Sequence, residues 1–320
     1  KSVGTIDYIG LSLVSLGLGT LQIILDKGQQ EDWFDSSFII IFACISFVSL
    51  VLAAFWLLKQ KNPVVDLKLF AIPSFSIACI MIFSVGFTLL ASTALLPMLV
   101  QENFGYDATL SGLVLSPSAL SVIFMLPVVG KLVKVIQSRY LIAFGMLVNA
   151  TGMWLTGFIT PQTDYSTFVL VRCMQTAGLS FLYVPISVLA FSKISLANSS
   201  NASAIFSLMR NLGGSIGIAL ITSRLVHSQQ IQQSNLVQHL TAADPGYGSA
   251  LSNYTQAITN LGVPAAQAVT TAMGHIYQEL IHQATILAYL DAYHLLAIIL
   301  IVSSIAALSM PNNIPPKKER

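Results

Sequence analysis

Arginine side chains lie inside two apolar runs of membrane-spanning length, where a positive charge needs a specific reason. Arg210 stands near the middle of residues 204–226, and Arg172 stands about one turn after the start of residues 168–191. A cation near the bilayer centre costs at least ~2.5 to 3.5 kcal/mol, so such residues usually face a bundle interior or a water-filled cavity. The alternative is that the side chain snorkels to an interface. We expect Arg210 to tune the field of a cavity or to pair with a carboxylate, and for Arg172 both interpretations stay open.

Other polar side chains accompany these arginines. Gln175 follows Arg172 by three residues and shares its helix face, and Tyr183 extends the same general stripe. Asp291 lies one to two turns inside residues 285–308, which makes it the only candidate acceptor of a proton or cation. Asn149 is more typical of a hydrogen bond between helices than of a ligand contact. The candidate cavity or coupling residues are Arg210, Arg172, Gln175, Asp291, Asn211 and Tyr183.

Three glycines follow Arg210, and their spacing favours close helix packing. Gly213 and Gly217 lie four residues apart, so both leave bare backbone on one helix face, where another helix can approach. Gly214 stands beside them. We predict that Gly213, Gly214 and Gly217 are packing residues at a helix interface, although glycines of no special role also occur in membrane helices.

The composition places the chain among polytopic membrane proteins of the all-α class. Hydrophobic residues make up 55% of the sequence and charged residues 9%, against roughly 25% charged residues in soluble domains. The net charge of +2 does not suggest nucleic-acid binding. Cys44, Cys79 and Cys173 lie in apolar runs and provide neither a disulfide framework nor a metal spacing. We expect no cofactor and no metal.

Eight apolar runs are long enough to cross the ~30 Å hydrocarbon core. The first two form a hairpin within residues 1–62. The other six belong to residues 63–320, after the helix breaker at Asn62 and Pro63. The predicted spans cover approximately residues 8–25, 38–58, 75–100, 110–135, 140–159, 168–191, 204–226 and 285–308.

Residues 227–283 form a polar segment between the last two spans. Breakers at residues 244–246 and 262–264 predict two or three short amphipathic helices outside the bilayer. His275, Glu279 and His282 fall on one face of the last of these helices. A solvated polar face explains this pattern as well as a metal site does, and the spacing is not that of the zinc signature HExxH.

The charges of the loops indicate an orientation. Lysine and arginine residues occur at Lys1, in loops around residues 59–68, 131–139 and 193, and at residues 317–320, whereas the alternate loops are acidic. The positive-inside rule places the basic loops and both termini in the cytoplasm. The polar segment 227–283 is then predicted on the outer face.

Five separated stretches carry a family resemblance. They resemble the fourteen-helix drug/proton antiporters of the major facilitator superfamily, of the type that forms the inner-membrane part of tripartite multidrug exporters. The stretches are residues 25–28 with 32–34, residues 62–67, residues 172–175 with Gly178 and Pro185, residues 210–217, and residues 283–284 with Tyr289 and Asp291. The resemblance runs through the chain in order.

The resemblance implies an architecture and a function. Spans one and two would be the central extra pair, and spans three to eight would be the C-terminal six-helix bundle of a major facilitator fold. The chain starts at Lys1 without a methionine, so we expect a fragment that lacks the family's N-terminal six-helix half, and we expect it not to transport alone. The implied partners are that half, small amphipathic substrates, protons, a periplasmic adaptor and an outer-membrane channel.

The implied activity is secondary export of amphipathic compounds driven by protons, in the bacterial inner membrane. One alternative is a membrane subunit that docks a periplasmic partner without transporting anything, and another is a facilitator of a different small molecule. A membrane-embedded enzyme is disfavoured, because the spans hold isolated charges and His294 rather than clustered His, Asp and Glu residues.

Overall fold

The computed structural model describes residues 7–60, 63–238, 240 and 245–309. Its regular structure is helical, with nine α-helices that account for each predicted span. Seven of these helices are long and apolar enough to cross a membrane. The helices are α1 (Tyr8–Lys27), α2 (Ser37–Lys59), α3 (Pro73–Asn103), α4 (Ala108–Leu132), α5 (Ser138–Thr156), α6 (Tyr165–Phe191), α7 (Ser199–Val237), α8 (Pro245–Asn260) and α9 (Ala265–Leu308).

Helix α5 coincides with the fifth predicted span but is not among those seven helices. Arg139 stands at its second position and the fully buried Asn149 near its middle, and both lower its hydropathy. The helix packs against α6 and α9, and Ser304 of α9 donates a hydrogen bond to the carbonyl of Ala143 at 3.2 Å. A helix covered by its neighbours exposes less surface to lipid, so a lower hydropathy is tolerated.

Helices α7 and α9 continue far beyond the predicted spans. With 39 and 44 residues, they are ~58 and ~66 Å long at 1.5 Å per residue, about twice the hydrocarbon thickness. The prediction of two or three short helices in residues 227–283 is therefore wrong, since α8 is the one separate helix among the described residues there. Residues 227–237 contain no proline or glycine to end α7. Asp244, one of the predicted breakers, lies outside the described residues.

Neutral side chains join the parts of α7 and α9 that extend from the predicted spans, residues 227–237 and 265–285, which are called their outer parts below. Gln229 donates to the hydroxyl of Thr285 at 2.8 Å, and Gln233 donates to the hydroxyl of Tyr277 at 2.8 Å. Helix α8 packs on the same part of α9. The turn between the two helices contains Gly262, whose φ of +91° suits glycine.

The core of the bundle surrounds α3, which packs against α6, α7 and α9. Its buried apolar side chains interlock with Tyr289 and Tyr293 of α9, which are 1% and 0% exposed. Helices α1 and α2 form a hairpin beside this bundle, joined by a hydrogen bond from Ser46 to the carbonyl of Gly17 at 2.8 Å. The hairpin meets the bundle at α7.

Candidate intramembrane polar site

Glycines bring α3 and α7 into backbone contact. A Cβ atom added to Gly213 or Gly217 would collide with the carbonyl oxygen of Phe83 or Phe87. From the other side, a Cβ atom on Gly86 of α3 would collide with the carbonyl oxygen of Arg210. Gly214 lies against the side chain of Leu90. The structure therefore places all three predicted packing glycines at one interface, which also fixes the backbone position of Arg210.

Arg210 of α7 lies near Tyr183 of α6. Both side chains are half-buried. Arg210 is eleven residues from the start of α7, or ~16 Å along the axis, a length of about half the hydrocarbon thickness. Asn211 is exposed.

Arg172 is buried inside the bundle, with 4% of its surface exposed. Its Nη1 atom donates to Oγ of Ser92 at 3.1 Å and to Oε1 of Gln175 at 3.0 Å, and Nη2 donates to Oγ1 of Thr93 at 2.6 Å. All three acceptors are neutral. The structure thus excludes snorkelling for Arg172, which tethers α6 to α3 through hydrogen bonds.

Gln175 continues this arrangement to α5. Its Nε2 atom donates to Oγ1 of Thr156 at 2.9 Å, and its side chain is 1% exposed. We expected Arg172 and Gln175 on the wall of a cavity, whereas the structure buries both side chains between α3, α5 and α6. The reason is that serine and threonine hydroxyls on the neighbouring helices bond both Nη atoms of Arg172 and the amide of Gln175, although Nε of Arg172 has no partner among the described residues.

Asp291 lies far from Arg210. Its carboxylate accepts hydrogen bonds from Ser228 at 2.7 Å and from Gln232 at 3.1 Å, both on the outer part of α7. Ser228 follows Arg210 by eighteen residues, or ~27 Å along the helix. The candidate residues therefore form two pairs, Arg172 with Gln175 and Arg210 with Tyr183, and a separate carboxylate.

Three further polar groups of the core were not among the predicted site residues. The side chain of Asn149, the hydroxyl of Tyr293 and Nε2 of His294 are buried and form no hydrogen bond with the described residues. The expected hydrogen bond from Asn149 to another helix is thus not present there. His294 packs its ring 4.7 Å from that of Trp154. The sequence signal for these three residues was a polar side chain within a predicted span.

The histidines of the outer part of α9 are dispersed over different neighbours. His282 lies 4.0 Å from the carboxylate of Glu279, and its Nε2 atom is 3.0 Å from the carbonyl of Asn103 at the end of α3. His275 instead stacks on Tyr254 of α8. Within the described ranges, no three metal-binding side chains come together.

Comparison with known protein families and curated proteins relates this helical bundle to membrane transporters. Residues 10–218 match the family model described as Major Facilitator Superfamily. The chain is 33% identical over 241 residues to the multidrug export protein EmrB of Haemophilus influenzae, covering 75% of this chain and 47% of that protein. It is 28% identical over 298 residues to the protein of the same name from Escherichia coli, covering 93% of this chain and 57% of that protein.

A third relative, the probable multidrug resistance protein EmrY of Escherichia coli, is 31% identical over 242 residues, covering 75% of this chain and 47% of that protein. The chain thus spans about half the length of the curated relatives it matches. The family match covers the hairpin and the bundle as far as the glycines of α7, including both arginine sites. The chain belongs to the Major Facilitator Superfamily.

Proposed function

We propose that this chain forms part of a secondary exporter that moves amphipathic compounds out of the cell in exchange for protons. The observation that carries the proposal is the 28% sequence identity to a multidrug export protein, which extends over 93% of the chain. The intramembrane arginines support it, because charged groups in membrane helices accompany substrate and ion pathways. Two of the three relatives are export proteins by name, which favours transport over catalysis.

The proposed arrangement has eight spans, with α1 and α2 as linker helices and α3 to α7 with α9 as a six-helix bundle. Helix α5 is then counted as a span because its neighbours cover its polar side chains. Both termini lie in the cytoplasm, and the outer parts of α7 and α9 with α8 project from the other side of a bacterial inner membrane. A second six-helix half would complete the substrate site.

Arg210 and Tyr183 are the proposed substrate-binding pair, and Asp291 is the proposed proton acceptor. Asn211 stays a candidate on the exposed face of α7. Arg172 and Gln175 are proposed to hold α3, α5 and α6 in register around the site, and Gly213, Gly214 and Gly217 to keep α7 packed closely on α3.

A second candidate function is a non-transporting subunit that docks a periplasmic partner. The long outer parts of α7 and α9 favour it, since they offer a rigid surface beyond the membrane. A periplasmic adaptor is a proposed partner in either case.

Inverted membrane vesicles test the proposal. The protein is expressed from its complete open reading frame in cells deleted for their own exporters, and the vesicles are energised to acidify the lumen. We expect accumulation of several fluorescent amphiphiles from a panel, and loss of accumulation when a protonophore collapses the pH gradient. Vesicles with the same protein level that accumulate nothing above empty-vector vesicles would instead favour the non-transporting subunit.

A further inference from the structure

Pro117 interrupts the ladder of backbone hydrogen bonds inside α4. Proline has no backbone N–H, so the carbonyl of Leu113, four residues earlier, loses its helical donor. In a membrane such a freed carbonyl needs another partner. Helix α6 supplies one, because the hydroxyl of Tyr165 donates to the Leu113 carbonyl at 2.9 Å. The hydroxyl of Ser116 lies 3.4 Å from the same oxygen, a long distance for a hydrogen bond between oxygen atoms.

A second hydrogen bond joins α4 to α6 on the other side of Pro117. Thr176 donates to the carbonyl of Ser118 at 3.1 Å, and these two residues are buried, with 7% and 6% of their surfaces exposed. Tyr165 is instead the first residue of α6 and is 37% exposed. Exposed hydrogen bonds open more readily than buried ones. Of the two bonds that flank the proline, the bond of Tyr165 is therefore the one that can break.

The segment of α4 that precedes Pro117, residues 108–116, has few other attachments. Helix α4 packs mainly on α6 and touches α3 little, and it is the least buried of the seven helices of membrane-spanning length. Ser111 and Val114 are the buried residues of this segment, and Ser111 accepts a hydrogen bond from Gln101 of α3 at 3.1 Å. A bend at Pro117 would move the segment while the rest of α4 stays bound to α6.

We propose that residues 108–116 form a gate that bends about Pro117 at the outer end of the bundle, and that the Tyr165 hydroxyl is the latch that holds the gate closed. A helix with a proline in its interior bends at that point, and the phenol replaces the lost hydrogen bond only while the gate is closed. Tyr165 is thus a positioning residue. The proposal rests on the export function and the orientation proposed above, and it adds the element that closes the path on the outer side.

A double-mutant cycle of Tyr165→Phe and Pro117→Ala tests the latch. Alanine returns the N–H that bonds the Leu113 carbonyl within α4, so the phenol becomes redundant. With Pro117 present, Tyr165→Phe is expected to lower the midpoint of thermal unfolding of the complete protein by about 2 °C. In the Pro117→Ala background it should not change the midpoint.

Tyr8→Phe is the matched control for the lost hydroxyl. Tyr8 is also the first residue of a membrane-length helix, it is 69% exposed, and its hydroxyl has no hydrogen-bond partner among the described residues. This variant should keep the wild-type midpoint with either residue at position 117.

The movement is measured with spin labels at Ala108→Cys in the gate and Met273→Cys in α9, after replacement of the three native cysteines by serine. Both labelled positions are exposed. We expect one major distance between the labels in the protein with Tyr165 and Pro117. Tyr165→Phe should add a second distance, and the further change Pro117→Ala should remove it.

An equal effect of Tyr165→Phe in both backgrounds would overturn the proposal, because the hydroxyl would then act independently of the proline. At equal membrane levels Pro117→Ala should lose most of its export of the fluorescent panel, since the gate can no longer bend. Wild-type export by this variant would also overturn the gate. A wild-type protein that exports no panel compound would contradict the export function instead, and the midpoints and label distances would then decide the latch.

Discussion

The carbonyl oxygen of Phe83 in α3 occupies the space that a Cβ atom on Gly213 of α7 would need. Gly217 stands in the same relation to the carbonyl of Phe87 one turn later. At both places backbone meets backbone, so no side chain can rotate away to make room. Any residue larger than glycine must separate the two helices.

Gly213→Ala is therefore expected to destabilise the protein by ~1 to 3 kcal/mol, the usual cost of overpacking. The measurement is the midpoint of thermal unfolding of the detergent-solubilised protein. Gly274→Ala is the control, because Gly274 lies within α9 with nothing near its added Cβ atom. Since alanine favours a helix by about 1 kcal/mol over glycine, the control should not lower the midpoint. Equal midpoints for both variants would show that α3 and α7 are not in contact.

Arg172→Met is expected to separate stability from transport. Removing a buried charge in favour of an apolar side chain of similar length is often neutral or stabilising, so we expect an unchanged or higher midpoint of thermal unfolding. Transport should fall, because α3 and α6 lose their connection through Ser92 and Thr93. A lower midpoint together with normal transport in the surviving protein would make Arg172 a purely structural residue.

Asp291→Asn is expected to uncouple transport from protons. The asparagine keeps the size of the side chain but cannot take up a proton, and its amide nitrogen cannot accept the hydrogen bond that Ser228 now donates. Uphill accumulation driven by a pH gradient should be lost. Exchange of labelled for unlabelled substrate at equal pH on both sides should continue. If both assays keep their wild-type rates, Asp291 has no part in coupling.

Single cysteines test the proposed orientation in a background in which Cys44, Cys79 and Cys173 are serine. Gln162→Cys and Gln238→Cys should react in whole cells with an impermeant thiol reagent, whereas Lys134→Cys and Lys193→Cys should react only after permeabilisation. All four positions are exposed in the structure, so a failure to react reports the side of the membrane rather than burial. Labelling of Lys134→Cys in intact cells would reverse the arrangement.

Hydropathy was sufficient to predict where the apolar helices lie and in what order. Each apolar run coincides with a helix, because in lipid the backbone hydrogen bonds must be satisfied within the segment. The outer part of α7 was missed because hydropathy detects only apolar helices. Residues 227–237 are polar, so they resemble a loop in composition, although they contain no residue that breaks a helix and pack against α9.

The environment of Arg172 could not be predicted in the same way. Its hydrogen-bond acceptors Ser92 and Thr93 lie about eighty residues earlier in the chain, and nothing in their local sequence distinguishes them from other serines and threonines of membrane helices. Whether an arginine near a helix end snorkels or is buried depends on which helices pack around it. For Gly213 and Gly217 the local spacing was informative, since a contact between helix backbones requires small residues on one face.

The uninterrupted length of α7 gives the molecule a mechanical property. Its inner half is locked to α3 by backbone contact, and its outer half is joined to α9 through the amides of Gln229 and Gln233. Because α7 is continuous, we expect a tilt of the helix at Arg210 to displace its C-terminal end, ~40 Å further along the same helix. Each of these amides is uncharged and can both donate and accept hydrogen bonds. We therefore expect the two helices to exchange hydrogen-bond partners when α7 moves. We therefore expect the position of this helix end to change with the conformation around Arg210.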